Sequence, residues 1–150
     1  MVILRLMEWL LDPGPRDRRG LPFRLVAAGV FIPTGLGKFL NHDAYVERFE
    51  RWGFGFAPGG VAIVVGLVEV VGGLLLLAGA LPRLVAVTLI GNMVGALATA
   101  GRIDGGKDVW LPIVMIAVLA AVAWLGGGVP RWEPRYPDWS VTSSRRPKAR

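Results

Sequence analysis

The sequence predicts an all-α integral membrane protein, a four-helix bundle with short amphipathic surface helices and both termini in the cytoplasm. Hydrophobic residues make up 53% of the 150 residues and charged residues only 19%, and the mean hydropathy is +0.52. A soluble domain usually carries more charge and less apolar bulk. The apolar residues are also gathered into four stretches, each near the roughly 20 residues that cross a bilayer core.

The first element is a short surface helix with the sequence MVILRLMEWLL. It is too short to span a bilayer, and it contains Arg5 and Glu8. A signal peptide would place its basic residues ahead of the apolar run and end in small residues at a cleavage site. We therefore expect residues 1–20 to form an interfacial helix with a basic linker, kept in the mature protein.

Residues 21–127 form the predicted four-helix transmembrane domain. Its spans are predicted at Leu21–Leu40, Pro58–Leu81, Pro82–Gly101 and Val109–Gly127. The second and third spans meet at GALPRL, which leaves room only for a tight helical hairpin. Pro82 would lie in the first turn of the third span. A proline is tolerated there, because the N–H that it lacks would have no partner within the helix.

The loop after the first span contains a second predicted surface helix, in the segment NHDAYVERFERWG. Its apolar side chains recur at helical spacing, with charged residues on the opposite face: Tyr45, Val46, Phe49 and Trp52. This pattern is typical of a helix that lies in the membrane interface.

Basic residues predict the orientation of the chain. Twelve of the 17 Lys and Arg residues lie in the N-terminal region, the hairpin and the C-terminal tail, which leaves five on the other side. The positive-inside rule then places both termini in the cytoplasm of a multi-pass protein of the cell's inner (cytoplasmic) membrane. Residues 128–150 form a basic tail that we expect to be disordered and to contact anionic lipid rather than nucleic acid.

Glu69 is the single charged residue in the run VVGLVEVVGGLLLLAG, and it lies at the middle of the second predicted span. A charge near the bilayer centre costs at least about 2.5–3.5 kcal/mol, so this side chain should face protein or water and have a partner. Asn92 lies at similar depth on the third span. A hydrogen bond between Glu69 and Asn92 is the pairing that we expect.

Two basic residues share one face of the first span and complete a candidate polar strip for binding. Arg24 lies at its cytoplasmic end and Lys38 about 21 Å away at its outer end, at 1.5 Å per residue. Aligning the spans end to end leaves both about half a membrane from Glu69, too far for direct pairing. Either basic side chain could instead extend to the lipid headgroups.

Small residues predict where the helices pack closely. On the first two spans, Gly35, Gly66 and Gly73 lie on the same faces as the polar residues. On the third span, Gly91 and Gly95 have the spacing of a packing motif. None of these residues indicates chemistry.

Composition excludes several classes of site. The chain has no Cys and only one His, His42, so thiolate sites and His-based metal clusters are excluded and no metal is expected. Haem, flavin and iron–sulfur clusters would lack ligands or a fingerprint motif. Any redox centre must be a diffusible quinone or belong to a partner.

The segments RLVAAGVFIPTGLGKFL and GLVEVVGGLLLLAGALPRLVAVTLIGNMVGAL resemble the DoxX family of small four-helix membrane proteins. The resemblance covers residues 21–127, and rests on Arg24, the Gly35 to Lys38 end of the first span, the Glu69 to Gly79 motif and Arg83. It implies a role beside quinone-linked or redox-stress membrane enzymes. In the family the third helix often carries a histidine or another polar residue, and Asn92 stands nearest to that role.

Two main functional interpretations follow. In the first, the protein is an accessory or anchoring subunit of a larger membrane complex with other membrane subunits, redox or respiratory linked and without catalysis of its own. In the second, it is a quinone-reactive subunit of an oxidoreductase, in which Glu69 exchanges protons as the candidate catalytic group. A small transporter is a third interpretation, which the lack of an internal repeat does not favour.

Overall fold

The structure is a computed structural model that describes residues 2–12, 14, 18–103, 105 and 109–129. Within these residues it contains six helices and no strand: α1 (Val2–Leu11), α2 (Leu21–Leu40), α3 (His42–Arg51), α4 (Pro58–Ala78), α5 (Pro82–Ile103) and α6 (Trp110–Leu125). The all-α prediction is confirmed for this part of the chain. The predicted basic tail lies almost wholly outside the described residues.

Three helices, α2, α4 and α5, are long and apolar enough to cross a membrane. The fourth predicted span corresponds to α6, which is apolar but has only 16 residues. At 1.5 Å per residue it is about 24 Å long, shorter than a hydrocarbon core of about 30 Å. It ends early because Gly126 adopts φ 76, a conformation that does not continue a right-handed helix. The four-span bundle and its orientation stay predictions.

The α4–α5 hairpin turns earlier than the sequence predicts. Gly79 adopts the left-handed conformation, φ 72 and ψ 28, and its N–H donates to the carbonyls of Leu75 and Leu76. This arrangement ends α4 at Ala78 rather than at Leu81. The third span is longer than predicted, because α5 continues to Ile103 instead of ending at Gly101.

Close contact between α2 and α4 organises the molecule. The two helices run antiparallel, because Gly35 faces Gly66 and Glu69 while Gly73 faces Ile32, which is earlier in α2. A Cβ added at Gly35 would lie 2.9 Å from the Gly66 carbonyl oxygen. Small residues therefore let these two backbones approach, as is common between membrane helices.

The apolar core fills the half of the bundle that is nearer to the α4–α5 hairpin. Its residues come from the early part of α2, the end of α4, the start of α5 and most of α6; the fully buried aliphatic members include Leu76, Leu89, Leu119 and Val122. In the other half, the same helices surround open space. The fold thus leaves the end of the bundle below α3 free for a cavity.

The α1 helix is attached to the start of α5. None of its residues is buried. Arg83 donates a hydrogen bond to Asp12 Oδ2 at 2.6 Å, and its guanidinium lies 5.2 Å from the ring centroid of Trp9. Since large apolar side chains of α1 remain exposed, the helix presents an apolar surface beside the bundle, as an interfacial helix does.

Candidate functional site

Three polar side chains from three helices meet inside the bundle. Lys38 Nζ on α2 lies 2.5 Å from Glu69 Oε2 on α4, and Asn92 Nδ2 on α5 donates to Glu69 Oε1 at 3.0 Å. The predicted hydrogen bond between Glu69 and Asn92 is confirmed. The prediction that Lys38 is too distant to pair with Glu69 is wrong.

The relative positions of α2 and α4 explain this correction. The first turn of α4 lies beside α3 rather than α2, because a Cβ added at Gly59 would lie 3.5 Å from His42 Nε2 and 3.6 Å from a methyl group of Val46. The C-terminal end of α2 is therefore level with a part of α4 beyond its first turns. Side chains also tilt toward the N-terminus of their own helix, so Lys38 and Glu69 on antiparallel helices point toward each other.

The Lys38–Glu69 pair is buried, with 8% and 3% of the residue surface exposed. A buried ion of either sign without a partner would be strongly unfavourable, whereas the pair is neutral as a unit. Lys38 Nζ also lies 3.4 Å from the Thr34 carbonyl oxygen, which accepts a hydrogen bond from it. Because Asn92 donates to the other carboxylate oxygen, both oxygens of Glu69 have partners and the carboxylate has a defined orientation.

A cavity of about 450 Å³ lies against this cluster. Its volume is within the range of about 300–1,000 Å³ that is usual for small-molecule sites. Lys38, Glu69 and Asn92 form a polar patch, and most of the remaining wall is apolar, with Phe31, Val65 and other residues from α2 to α6. The cavity could thus hold a flat, largely apolar molecule that has one polar edge.

The α3 helix supplies a cationic and aromatic wall that the sequence did not predict. The ring of Tyr45 lies between two cations, with its centroid 5.3 Å from Lys38 Nζ and 5.2 Å from Arg48 Cζ. Trp52 lies 6.0 Å from the same guanidinium, and all four side chains line the cavity. The helical spacing of the aromatic residues is the signal in the sequence, but the same spacing is typical of a helix that lies in the membrane interface.

The remaining predicted site residues lie elsewhere. Arg24 is buried and donates to the Gly127 carbonyl oxygen at 2.8 Å, 14 residues along the helix from Lys38, or about 21 Å. A continuous polar strip is therefore not formed. The prediction that Gly91 and Gly95 pack against a helix is also wrong, since a Cβ added at either would meet nothing within 4 Å; both line the cavity instead.

Comparison with known proteins agrees with this architecture. The sequence pattern of the DoxX family matches residues 20–102. An uncharacterized membrane protein of Mycobacterium tuberculosis is 43% identical over 124 residues, which cover 73% of this chain and 74% of that protein. No solved structure matches the chain. The protein with the Lys38–Glu69–Asn92 cluster is a membrane protein that belongs to the DoxX family.

Proposed function

We propose that the protein is the quinone-binding subunit of a membrane oxidoreductase, with Glu69 exchanging protons with the bound quinone. One observation carries this proposal: a buried carboxylate, paired with a lysine and an amide, faces a mostly apolar cavity of ligand size. Lys38 and Asn92 can donate hydrogen bonds to a carbonyl oxygen of the quinone ring, and Glu69 can give or accept a proton.

The chemistry requires an electron source from outside this chain. Reduction of a quinone to a quinol takes up two electrons and two protons, and breaks no carbon–carbon bond. With no Cys and a single His in the sequence, the electrons would come from a flavin or metal centre of a partner subunit. Glu69 would take up one proton from water on the α3 side and pass it to one quinone oxygen, so that it ends as the carboxylate that it was before. The second proton would reach the other quinone oxygen from the same water.

A second candidate function is an accessory or anchoring subunit without catalysis. Its support is that both oxygens of Glu69 already have protein partners, on α2 and on α5. An ionic clamp of this kind joins three helices and needs no ligand. In this case Glu69 would hold the bundle in shape for a neighbouring membrane subunit.

We also propose a placement in the membrane. The protein would be a multi-pass protein of the cytoplasmic membrane in which α2, α4, α5 and α6 all cross, with α1 and both termini on the cytoplasmic side. The support is the excess of Lys and Arg in the terminal regions and the hairpin. The cationic wall of α3 would then lie near the outer surface.

Quinone binding can be tested on the full-length protein in mild detergent. The probe is menadione, a naphthoquinone head without a tail, and the signal is the quenching of tryptophan fluorescence, since Trp52 lines the cavity. We expect saturable quenching that Trp52→Phe reduces and that Lys38→Gln shifts to higher menadione concentration. Glu47→Gln, which changes an exposed carboxylate of α3, is the matched control and should bind as the unchanged protein does.

Glu69 variants separate the two candidate functions in native membranes. Glu69→Gln keeps the size of the side chain but cannot exchange a proton. If the protein is a quinone-reactive subunit, this variant should assemble with its partners and lose quinone reduction. Normal quinone reduction by assembled Glu69→Gln, together with no saturable menadione binding, would instead support the anchoring function.

A further inference from the structure

We propose that the cavity opens to the lipid through the wall formed by α5, at a window made of Gly91, Gly95 and Ala98, and that the hydrocarbon tail of the ligand lies in this window. The proposal rests on quinone binding at the Lys38–Glu69–Asn92 cluster. It narrows the ligand class to membrane quinones that carry a long prenyl tail, as opposed to small water-soluble quinones.

Three residues of α5 that border the cavity have little or no side chain. Gly91, Gly95 and Ala98 all line the cavity and are all exposed. A Cβ added at either glycine would meet no atom within 4 Å. Two residues before Gly91 the situation is reversed, because a Cβ at Gly72 of α4 would lie 3.1 Å from a methyl group of Leu89 of α5. Helix α5 is therefore closely packed near the hairpin and open beside the cavity.

In the part of the chain that the structure describes, three other sides of the cavity are closed or charged. Between α2 and α4, the Gly35–Gly66 contact closes the wall. Toward the hairpin, Leu89 and Leu119 fill the apolar core. Toward α3, the guanidinium of Arg48 lies over aromatic rings, and a hydrocarbon chain would have to pass a charged group that prefers water or a polar partner. The α5 window presents the tail with neither a close helix contact nor a charged group.

The position of the window suits a ligand with its head at the cluster. Asn92, which bonds to Glu69, immediately follows Gly91 in α5. A ring that contacts Asn92 is thus within one helical turn of Gly91 and Gly95. Next to them, Val94 is 51% exposed, which gives the tail an apolar surface to follow as it enters the lipid.

Two probes with the same head test the window. Menadione has no tail, and phylloquinone is the same naphthoquinone with a long phytyl tail. In the purified full-length protein we expect Gly95→Leu to weaken phylloquinone binding by about tenfold, since a leucine in a filled site is typically that unfavourable. Menadione binding should weaken by a clearly smaller factor, because its ring lies at the cluster and it has no tail in the window.

The matched control is Gly29→Leu. Gly29 is also an exposed helix glycine with open space at its Cβ position, but it lies on α2 and does not line the cavity. The Gly29→Leu variant should bind menadione and phylloquinone with unchanged dissociation constants. A phylloquinone analogue with a photoreactive diazirine at the tail end avoids substitution altogether, and in the unchanged protein it should label α5 residues 91–98 and their immediate neighbours.

The outcomes separate the window from quinone binding itself. Equal losses for the two probes in Gly95→Leu would show that leucine merely fills the cavity, and would overturn the window. So would unchanged phylloquinone binding, or tail labelling confined to α3. If menadione binds and Lys38→Gln weakens it, quinone binding stands in each of these cases. Failure of both probes to bind the unchanged protein would overturn the window and the proposed function together.

Discussion

Lys38 Nζ lies 2.5 Å from Glu69 Oε2, and the two residues are buried on antiparallel helices. This ion pair links the C-terminal end of α2 to the middle of α4, at the polar side of the cavity. Attraction between opposite charges is strong where water is excluded, but removing either charge alone leaves the other one buried. The stability of the protein should therefore depend on the pair more than on either residue.

A double-mutant cycle tests this dependence. We expect Glu69→Leu and Lys38→Met each to lower the free energy of unfolding by about 3 kcal/mol, because each leaves one buried charge without its counterion. The double variant removes both charges and should be more stable than the sum of the single losses predicts, with a coupling energy of at least about 1 kcal/mol. Thermal unfolding in detergent measures all four proteins.

The control for the cycle is Asn92→Leu combined with Lys38→Met. Asn92 donates to Glu69 Oε1, whereas Lys38 pairs with Glu69 Oε2, so these two substitutions should couple less strongly than the charge pair. Losses that simply add for Glu69→Leu and Lys38→Met would mean that the two side chains do not interact in the folded protein.

The Glu69–Asn92 contact could be predicted from sequence because both residues belong to one hairpin. Counting residues from a tight turn gives equal depth on its two helices, and helical rise does not vary much. Periodicity predicted the buried face of α2 in the same way: Arg24 and Lys38, which were predicted to share one face, are both buried in the structure.

The Lys38–Glu69 pair could not be predicted in this way, because α2 and α4 are joined through α3. An intervening helix shifts one span along the other by an amount that no residue count gives. Here α3 occupies the space beside the first turn of α4, near Gly59. The cavity could not be predicted for a related reason. Periodicity shows which face of a helix is apolar, but not whether another helix fills the space beside that face.

Gly35 should tolerate no side chain. A Cβ there would lie 2.9 Å from the Gly66 carbonyl oxygen and 2.8 Å from a methyl group of Val70, so α2 and α4 would have to separate. We expect Gly35→Ala to lower the free energy of unfolding by about 1–3 kcal/mol. Gly29→Ala on the same helix has open space and should be neutral or slightly stabilising. Equal effects of the two substitutions would contradict the close contact of α2 with α4.

Arg83 should control how firmly α1 is attached. Its side chain is buried, and it contacts the Asp12 carboxylate and the Trp9 ring. Arg83→Leu should therefore release α1 and raise its hydrogen–deuterium exchange. Asp12→Asn should raise this exchange less. Because Asp12 is half exposed, its ion pair should stabilise the attachment of α1 by about 1 kcal/mol or less, and by less still in high salt. Exchange in α6 is the internal control, and a parallel rise there would indicate general unfolding instead of release of α1.

Orientation can be tested because the chain has no cysteine. We expect Glu47→Cys, at an exposed position of α3, to react with a membrane-impermeant maleimide added to intact cells. Ser143→Cys in the C-terminal tail should react only after the membrane is opened. The physical reason is the excess of Lys and Arg in the terminal regions, which disfavours their translocation. A cysteine at Leu67, an exposed position near the middle of α4, should stay unreactive in both conditions because it faces lipid. Reaction of both Glu47→Cys and Ser143→Cys in intact cells would place the two segments on the same outer side, and would leave α6 as a helix that does not cross the membrane.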